Sequence, residues 1–302
     1  MKKKILILLV LLIALSGCTK RFTIEDSKTQ KSKTYVSNII CKPEKEDLIK
    51  IYEDNSEKLV VDYSKLPSCS NLKINSGGYE GLWSSIFVKP LAWIVIILGK
   101  LVKNYGLAIM IIGALLRIIM IPFTKKSTNM NDGMKKAQKE LTALEKKYKG
   151  REDKESMMAK SQEMMFIYKK YNINPLSSCL FAFIQLPIFF AFLEAVYRVP
   201  AFFEENFWKF NLGQTPLEGF AKGNYWYVLI IILIIGSTYF SFKNMNVAGD
   251  AAQEKQMKTM SIVMLVVISL TSFSLPTAIA LYWIVSSSVT IIQNYISKRG
   301  KK

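Results

Sequence analysis

The sequence predicts an all-α integral membrane protein, with five transmembrane helices around a hydrophilic groove and a cytoplasmic helical hairpin. Three observations carry that expectation. Half of the 302 residues are apolar and mean hydropathy is +0.19, and the apolar residues are clumped into long runs, as bilayer spans require. The run Leu107–Phe123 is seventeen residues with no charge except Arg117. The net charge of +18 is unevenly spread, concentrated in short stretches that flank such runs.

Arg117 sets the functional question. At ~1.5 Å rise per residue its run is about 26 Å long, close to the thickness of a hydrocarbon core. A guanidinium cannot escape by losing its proton, and placing one at a helix centre costs roughly 2.5–3.5 kcal/mol. Two readings follow: the side chain snorkels toward headgroups near Lys125, eight residues on, or it faces a bundle interior or watery cavity, as intramembrane charges usually do.

Composition narrows the chemistry. The chain has no histidine and four scattered cysteines, so a Cys/His zinc site is excluded and no metal site is expected. Neither a phosphate-binding G-x-x-x-x-G-K-[ST] nor a G-x-S-x-G motif is present. No cofactor and no enzymatic activity are expected. Nucleic acid and anionic lipid both answer a charge of +18; anionic lipid is taken as the partner, with no specific nucleic-acid binding.

The N-terminus carries Lys2, Lys3 and Lys4, the apolar run Ile5–Ala14, and then Leu15-Ser16-Gly17-Cys18. The apolar run is too short to span and fits a signal peptide over residues 1–17. The ending resembles a bacterial lipoprotein lipobox, which implies cleavage before Cys18 and lipidation (the palmitate-type modification) of its sulfur. Residues 18–82 are then a lipid-anchored extracellular segment. Within residues 19–82 eleven Lys/Arg face ten Asp/Glu. Lys58-Leu59-Val60-Val61-Asp62-Tyr63 reads as a short strand, and the segment as small or partly disordered. Cys41 and Cys69 lie outside the membrane in this topology and could pair; two cysteines alone leave that open.

Residues 83–105 hold only eight consecutive apolar residues, Leu91–Leu98, between Lys89-Pro90 and Lys100. With Trp83 and Trp93 they read as an amphipathic helix in the headgroup region. The helix bearing Arg117 follows as span one. Residues 125–173 form a basic hairpin, with thirteen Lys/Arg against seven Asp/Glu over Lys125–Tyr171. Met134, Ala137, Leu141, Leu144 and Tyr148 form one helical stripe, Met157, Met164, Tyr168 and Tyr171 a second, and Gly150 breaks them. Met158 and Met165 beside the second stripe suit docking to varied apolar partners.

Span two is Leu176–Tyr197, containing Gln185 and Pro187, with Glu194 and Arg198 at ion-pair spacing near its outer end. An aromatic-rich loop follows to Asn224. Span three is Tyr225–Phe242, span four Met257–Phe273 and span five Pro276–Tyr295. A basic tail closes the chain at 298–302. The basic hairpin and tail place the C-terminus in the cytoplasm and residues 18–82 outside. Inside the spans the acidic inventory is Glu194 alone, which argues against a proton- or ion-coupled transporter. Gln185, Ser237, Thr238, Ser241, Ser286, Ser287, Ser288 and Thr290 could surround Arg117, and together with a buried cation they suggest a hydrated groove.

The ordered motifs resemble the YidC family of membrane protein insertases, in its Gram-positive-like form. They are the Arg117 run with Pro122, the basic hairpin, Asn174-Pro175-Leu176-Ser177-Ser178-Cys179-Leu180 leading to Gln185-Leu186-Pro187, and Leu275-Pro276-Thr277-Ala278-Ile279-Ala280-Leu281-Tyr282-Trp283. The resemblance covers residues 83–297 and implies a five-helix core over 106–297, enclosing a groove open to cytoplasm and lipid. Arg117 matches the family's groove arginine, Gln185 an amide of the second helix and Trp283 a groove-facing aromatic. Many members carry glutamine just before the lysine that ends helix three; Ser241-Phe242-Lys243 stands here, with Ser241 as groove wall. The implied clients are nascent membrane proteins, with the ribosome and a Sec channel as candidate partners. The competing readings are a small-solute transporter or channel, for which no inverted repeat is visible, and a lipid-anchored assembly scaffold.

Overall fold

A computed structural model describes residues 19–25, 32–151, 153–173, 176–243 and 251–299; at 32, 123–132, 134–135, 176–186, 251–257, 260 and 297–299 only the backbone is described. Cys18 lies outside the described residues, as do the signal peptide and Asn174-Pro175. The chain is mostly helical and divides into two compact units. One holds the chain up to Gly113 with Gln185–Ile230 and Ser274–Trp283. The other holds Ala114–Ile184, Ile231–Phe273 and the chain from Ile284.

The first unit opens with strands β1 (Arg21–Glu25) and β2 (Ser32–Val36), antiparallel in the register Arg21↔Val36 to Glu25↔Ser32. Their inner face and α1 (Glu46–Asp54) bury Phe22, Val36, Ile39, Tyr52 and Leu66 in a small core. The expected strand at Lys58–Tyr63 does not form. Short 3-10 turns occupy Ser56–Lys58 and Tyr63–Lys65; at the second the Asp62 carboxylate accepts from Ser64 N–H at 3.1 Å, so local capping outcompetes a ladder there. Leu59 and Val61 still pack on the core. Cys41 and Cys69, both fully buried, are joined as a disulfide.

A π-type turn, Ser84–Val88, runs into α2 (Lys89–Val102). Ala92, Val95, Ile96 and Gly99 are buried on one face, while Ile94, Ile97 and Leu101 are exposed on the other. Lys89 Nζ, near one end, donates to Ser76 O at 2.9 Å and Gly78 O at 2.6 Å; Lys100 Nζ, near the other, donates to Ser70 O. Helix α2 thus has both ends tied to one stretch of the preceding lobe. Lys103, in the left-handed region at φ 54°, turns the chain into α3 (Tyr105–Ile119), where Asn104 Oδ1 accepts from Leu107 N–H at 2.9 Å. Gly99 permits this tight corner: a Cβ there would stand 2.0 Å from the Tyr105 ring.

The apolar run Leu107–Phe123 is not one helix. It breaks at Met120, and α4 (Ile121–Lys147) restarts with Pro122 in its first turn. Proline lacks an N–H and clashes with the carbonyl four residues back, so it is best accommodated in the first turn of a helix, as here. In the second unit α4 packs on α5 (Lys154–Lys170) across Gly150, whose φ of +80° makes the bend. Ala137, Leu141, Leu144, Tyr148, Ile167, Tyr168 and Ile173 are buried between them.

Helix α6 (Leu176–Arg198) follows, then α7 (Pro200–Glu204), the two-residue strands β3 (Asn206–Phe207) and β4 (Phe210–Asn211), and α8 (Pro216–Ala221). Last come α9 (Tyr227–Lys243), α10 (Ala251–Thr271) and α11 (Thr277–Arg299). Among the described residues, Ser84–Val102 and Thr277–Ile296 are long and apolar enough to cross a membrane; Tyr105–Ile119, Tyr227–Lys243 and Ser261–Thr271 are apolar but shorter.

Candidate functional site

Arg117 stands two residues before the end of α3, half-buried, with its Nε shielded from solvent. Helices α3, α9 and α11 contain no aspartate or glutamate. Their charged residues are Arg117, Lys243, Lys298 and Arg299, so the field these helices carry is positive.

Helices α3 and α11 start against the same segment. Tyr105 packs edge-on against Phe202, with ring centroids at 5.1 Å, and Gly106 faces Phe207. Thr277 N–H donates to Gln214 O at 3.1 Å and Ala278 N–H to Leu212 O at 2.9 Å. One further along, Gly113 meets Tyr282, where a Cβ would be 3.1 Å from the ring. The two helices therefore start against one segment and approach again where Gly113 meets Tyr282. Arg117 lies one turn after Gly113 on α3, and Ser286 one turn after Tyr282 on α11.

Ser286, Ser287 and Ser288 are half-buried and Thr290 is buried on α11; on α9, Ser237 and Ser241 are half-buried and Thr238 is buried. Ser288 Oγ donates to Ile284 O at 2.7 Å, Thr290 Oγ1 to Ser286 O at 2.8 Å and Ser237 Oγ to Ile234 O at 3.2 Å. Those protons are spent on the helix backbone, while each oxygen keeps acceptor capacity. Hydroxyl acceptors on α9 and α11, like the donor-only guanidinium on α3, suit polar chain or water.

Arg117 and Ser241 belong to the second unit, Gln185 and Trp283 to the first. Trp283 is half-buried, edge-on to Phe189 at 5.5 Å, and its neighbour Tyr282 stacks on Phe192 at 4.3 Å. The Gln185 side chain and Cys18 lie outside the described residues.

Glu194 and Arg198 do pair, at 3.2 Å, but inside a larger cluster. Arg198 Nη1 also donates to Ser84 Oγ at 2.5 Å, Nε to Asn38 O at 2.6 Å, and Nη2 binds Glu80. Trp83 Nε1 donates to Glu194 Oε2 at 2.9 Å, and Lys89 Nζ lies 3.0 Å from Glu80 Oε1. Two cations and two carboxylates balance, which is what makes burying Arg198 and Lys89 tolerable. Ile40 N–H donates to Arg198 O at 3.0 Å, and Glu44 and Lys45 N–H both donate to Glu204 Oε1 at 3.0 Å. The N-terminal lobe is thereby fixed on α6 and α7.

The hairpin α4–α5 is closed by two matching clamps. Glu163 accepts from Lys147 Nζ at 2.6 Å and Tyr148 OH at 2.8 Å; Glu140 accepts from Lys170 Nζ at 2.6 Å and Tyr171 OH at 2.7 Å. The lysine and tyrosine bonds hold both carboxyls below the usual glutamate range, and the carboxylates raise both phenols. Sequence reasoning missed these clamps, although a signal existed: Glu140 and Glu163 are each followed, after six residues, by Lys-Tyr. Met157, Met158, Met165 and Phe166 remain exposed on α5.

Comparison with known proteins gives a consistent result. The sequence pattern of the 60Kd inner membrane protein family matches residues 97–302. Membrane protein insertase YidC 2 of Bacillus anthracis is 33% identical over 219 residues, covering 72% of this chain and 82% of the relative. Membrane protein insertase MisCA of Bacillus subtilis is 30% identical over 242 residues, covering 80% and 88%. The crystal structure of an active YidC insertase with its first transmembrane domain resolved is similar in fold, with a TM-score of 0.51 and 24% identity. That match covers 89% of this chain and 56% of the crystallised one.

Proposed function

This chain belongs to the 60Kd inner membrane protein family, the family of the YidC membrane protein insertases, and from that membership we propose that it inserts nascent membrane proteins into a bacterial cell membrane. It is a non-enzymatic insertase: no bond is made or broken. Helices α3, α6, α9, α10 and α11 are the five spans, the α4–α5 hairpin and the basic tail are cytoplasmic, and a lipid on Cys18 holds the N-terminal lobe to the outer leaflet. Helix α2 lies flat beneath that lobe; the support is that Lys89 and Lys100, near its two ends, both reach carbonyls of residues 70–78.

In this reading a client with a polar or acidic outer tail is drawn into the groove by the positive field of Arg117, which acts further in a low-dielectric wall than in water. Hydroxyls of α9 and α11 and water between them solvate the tail part way. Trp283 and Gln185 line the path. The apolar client segment then leaves sideways into lipid, and its burial drives the step at ~25 cal/mol per Å². The hairpin receives the chain from the ribosome or a Sec channel, and anionic lipids meet its basic surface.

The observation that carries the proposal is Arg117, a permanent cation half-buried on α3, with no carboxylate on α3, α9 or α11. Arg117→Lys and Arg117→Ala, assayed with a single-span client bearing an acidic tail, test it. Insertion falls with Ala and is largely kept with Lys. Equal insertion by Ala for every single-span client would overturn the electrostatic step. Photo-crosslinks from positions 117 and 283 to ribosome-bound chains separate an insertase from a scaffold, and solute flux in liposomes would reveal a channel.

A further inference from the structure

The β3–β4 hairpin has a strained tip. Phe207 pairs with Phe210, leaving the two-residue loop Trp208-Lys209. Trp208 has φ +54°, at the first loop position, where hairpin turns favour glycine and a bulky side chain is strained. The indole is nevertheless held: its ring lies 5.1 Å from Trp226 and 5.5 Å from Phe210, both edge-on. Lys209 Nζ sits 4.1 Å from the Trp226 ring centroid and 5.4 Å from that of Trp208.

The tip is also rigid. Asn224 Nδ2 donates to Lys209 O at 2.9 Å, and Asn224 Oδ1 accepts from Trp226 N–H at 3.2 Å. Phe210 packs edge-on against Tyr227 at 5.1 Å, the first residue of α9. The nearby carboxylates serve elsewhere: Glu205 accepts from Tyr105 N–H at 3.0 Å, and Glu218 closes a capping box with Thr215. Despite its ring contacts Trp208 is 59% exposed, beside exposed Trp226 and Tyr225, and the apolar surface continues along α9 through Val228, Leu229 and Ile232.

Two indoles and an ammonium, held rigidly at the mouth of an apolar helix, match one chemistry: ring bodies for the acyl boundary and a cation for a phosphodiester. The geometry points to the Trp208-Lys209 tip as an anchor in the outer leaflet, with both indoles in the headgroup layer and Lys209 on the phosphate of an anionic phospholipid. This rests on α9 spanning the membrane, as proposed above.

The test uses the full-length chain in nanodiscs of phosphatidylglycerol and phosphatidylcholine, with p-benzoylphenylalanine placed at position 208 or, separately, at 232. Illumination gives lipid adducts at both positions. With Lys209→Gln, the preference for phosphatidylglycerol at 208 falls about fivefold, the ratio that ~1 kcal/mol per lysine at an anionic surface converts to. Lipid adducts at 232 without any at 208, or polypeptide adducts at 208, overturn the anchor while α9 still spans. An unchanged preference in Lys209→Gln overturns the phosphate contact. No lipid adduct at either position sinks the spanning of α9 and the anchor with it.

Discussion

Replacing Arg198 by methionine removes the centre of the buried charge cluster while keeping most of its volume. The wild-type guanidinium serves Asn38 O, Ser84 Oγ, Glu194 and Glu80. Lys89 still balances Glu80 at 3.0 Å, and Trp83 still donates to Glu194 at 2.9 Å. One carboxylate is left uncompensated in a buried site, and breaking such a pair from one side costs ~3–5 kcal/mol. At about 2–4 °C per kcal/mol for a chain of a few hundred residues, the melting temperature drops by roughly 6–20 °C. The assay is thermal unfolding of the purified full-length protein in detergent. Hydrogen exchange over residues 38–45 reports whether the lobe, bonded to Arg198 and Glu204, loosens with it. Adding Glu194→Leu to Arg198→Met recovers most of the loss, because the orphaned charge goes too. A melting temperature unchanged in Arg198→Met, or a double variant worse than the single, would refute the reasoning.

Reducing the disulfide, or Cys41→Ser, reopens a loop of sequence separation 28 and costs roughly 3.5 kcal/mol by chain entropy, read as faster proteolysis of the N-terminal lobe. Gly99→Ala pushes a methyl to within 2.0 Å of the Tyr105 ring; it destabilises by ~1–3 kcal/mol, and Tyr105→Ala in the same chain relieves the clash, measured as a double-mutant cycle. In the hairpin, both clamp carboxyls are lowered and both phenols raised. Their contribution is therefore full between the ordinary glutamate and tyrosine ranges. It is lost as pH falls through the lowered carboxyl values or rises through the raised phenol values. Exchange protection at Leu141 and Leu144, corrected for intrinsic rates, follows that plateau in the wild type and flattens in Glu140→Gln with Glu163→Gln. The clamps are solvent-exposed, so high salt weakens them as well.

Much of the fold was legible before any coordinates. The stripe Ala137, Leu141, Leu144 and Tyr148 is the buried face of α4, as its 3-4 spacing requires, and Gly150 makes the expected bend. Glu194 and Arg198 pair because four residues bring two side chains together on any helix. The strand expected at Lys58–Tyr63 failed because Asp62 offered the backbone a nearer partner than a second strand. The true pair, β1 with β2, went unread because a few β-branched residues in a polar segment give little periodicity. The clamps were missed because a glutamate and a Lys-Tyr pair look like ordinary solvated residues until two helices face each other.

What this chain settles by itself is local: which runs are apolar, where Pro122 and Gly150 interrupt them, that the hairpin is basic, and that Arg117 keeps its charge. Each follows from a side chain and its neighbours within a turn or two. The tertiary structure alone decided that Glu80, Lys89, Glu194 and Arg198 share one buried cluster, that Cys41 meets Cys69, and that Gly113 approaches Tyr282. Those groups lie far apart along the chain. No periodicity links them, and the ordering entropy of bringing them together is offset only when the intervening helices pack.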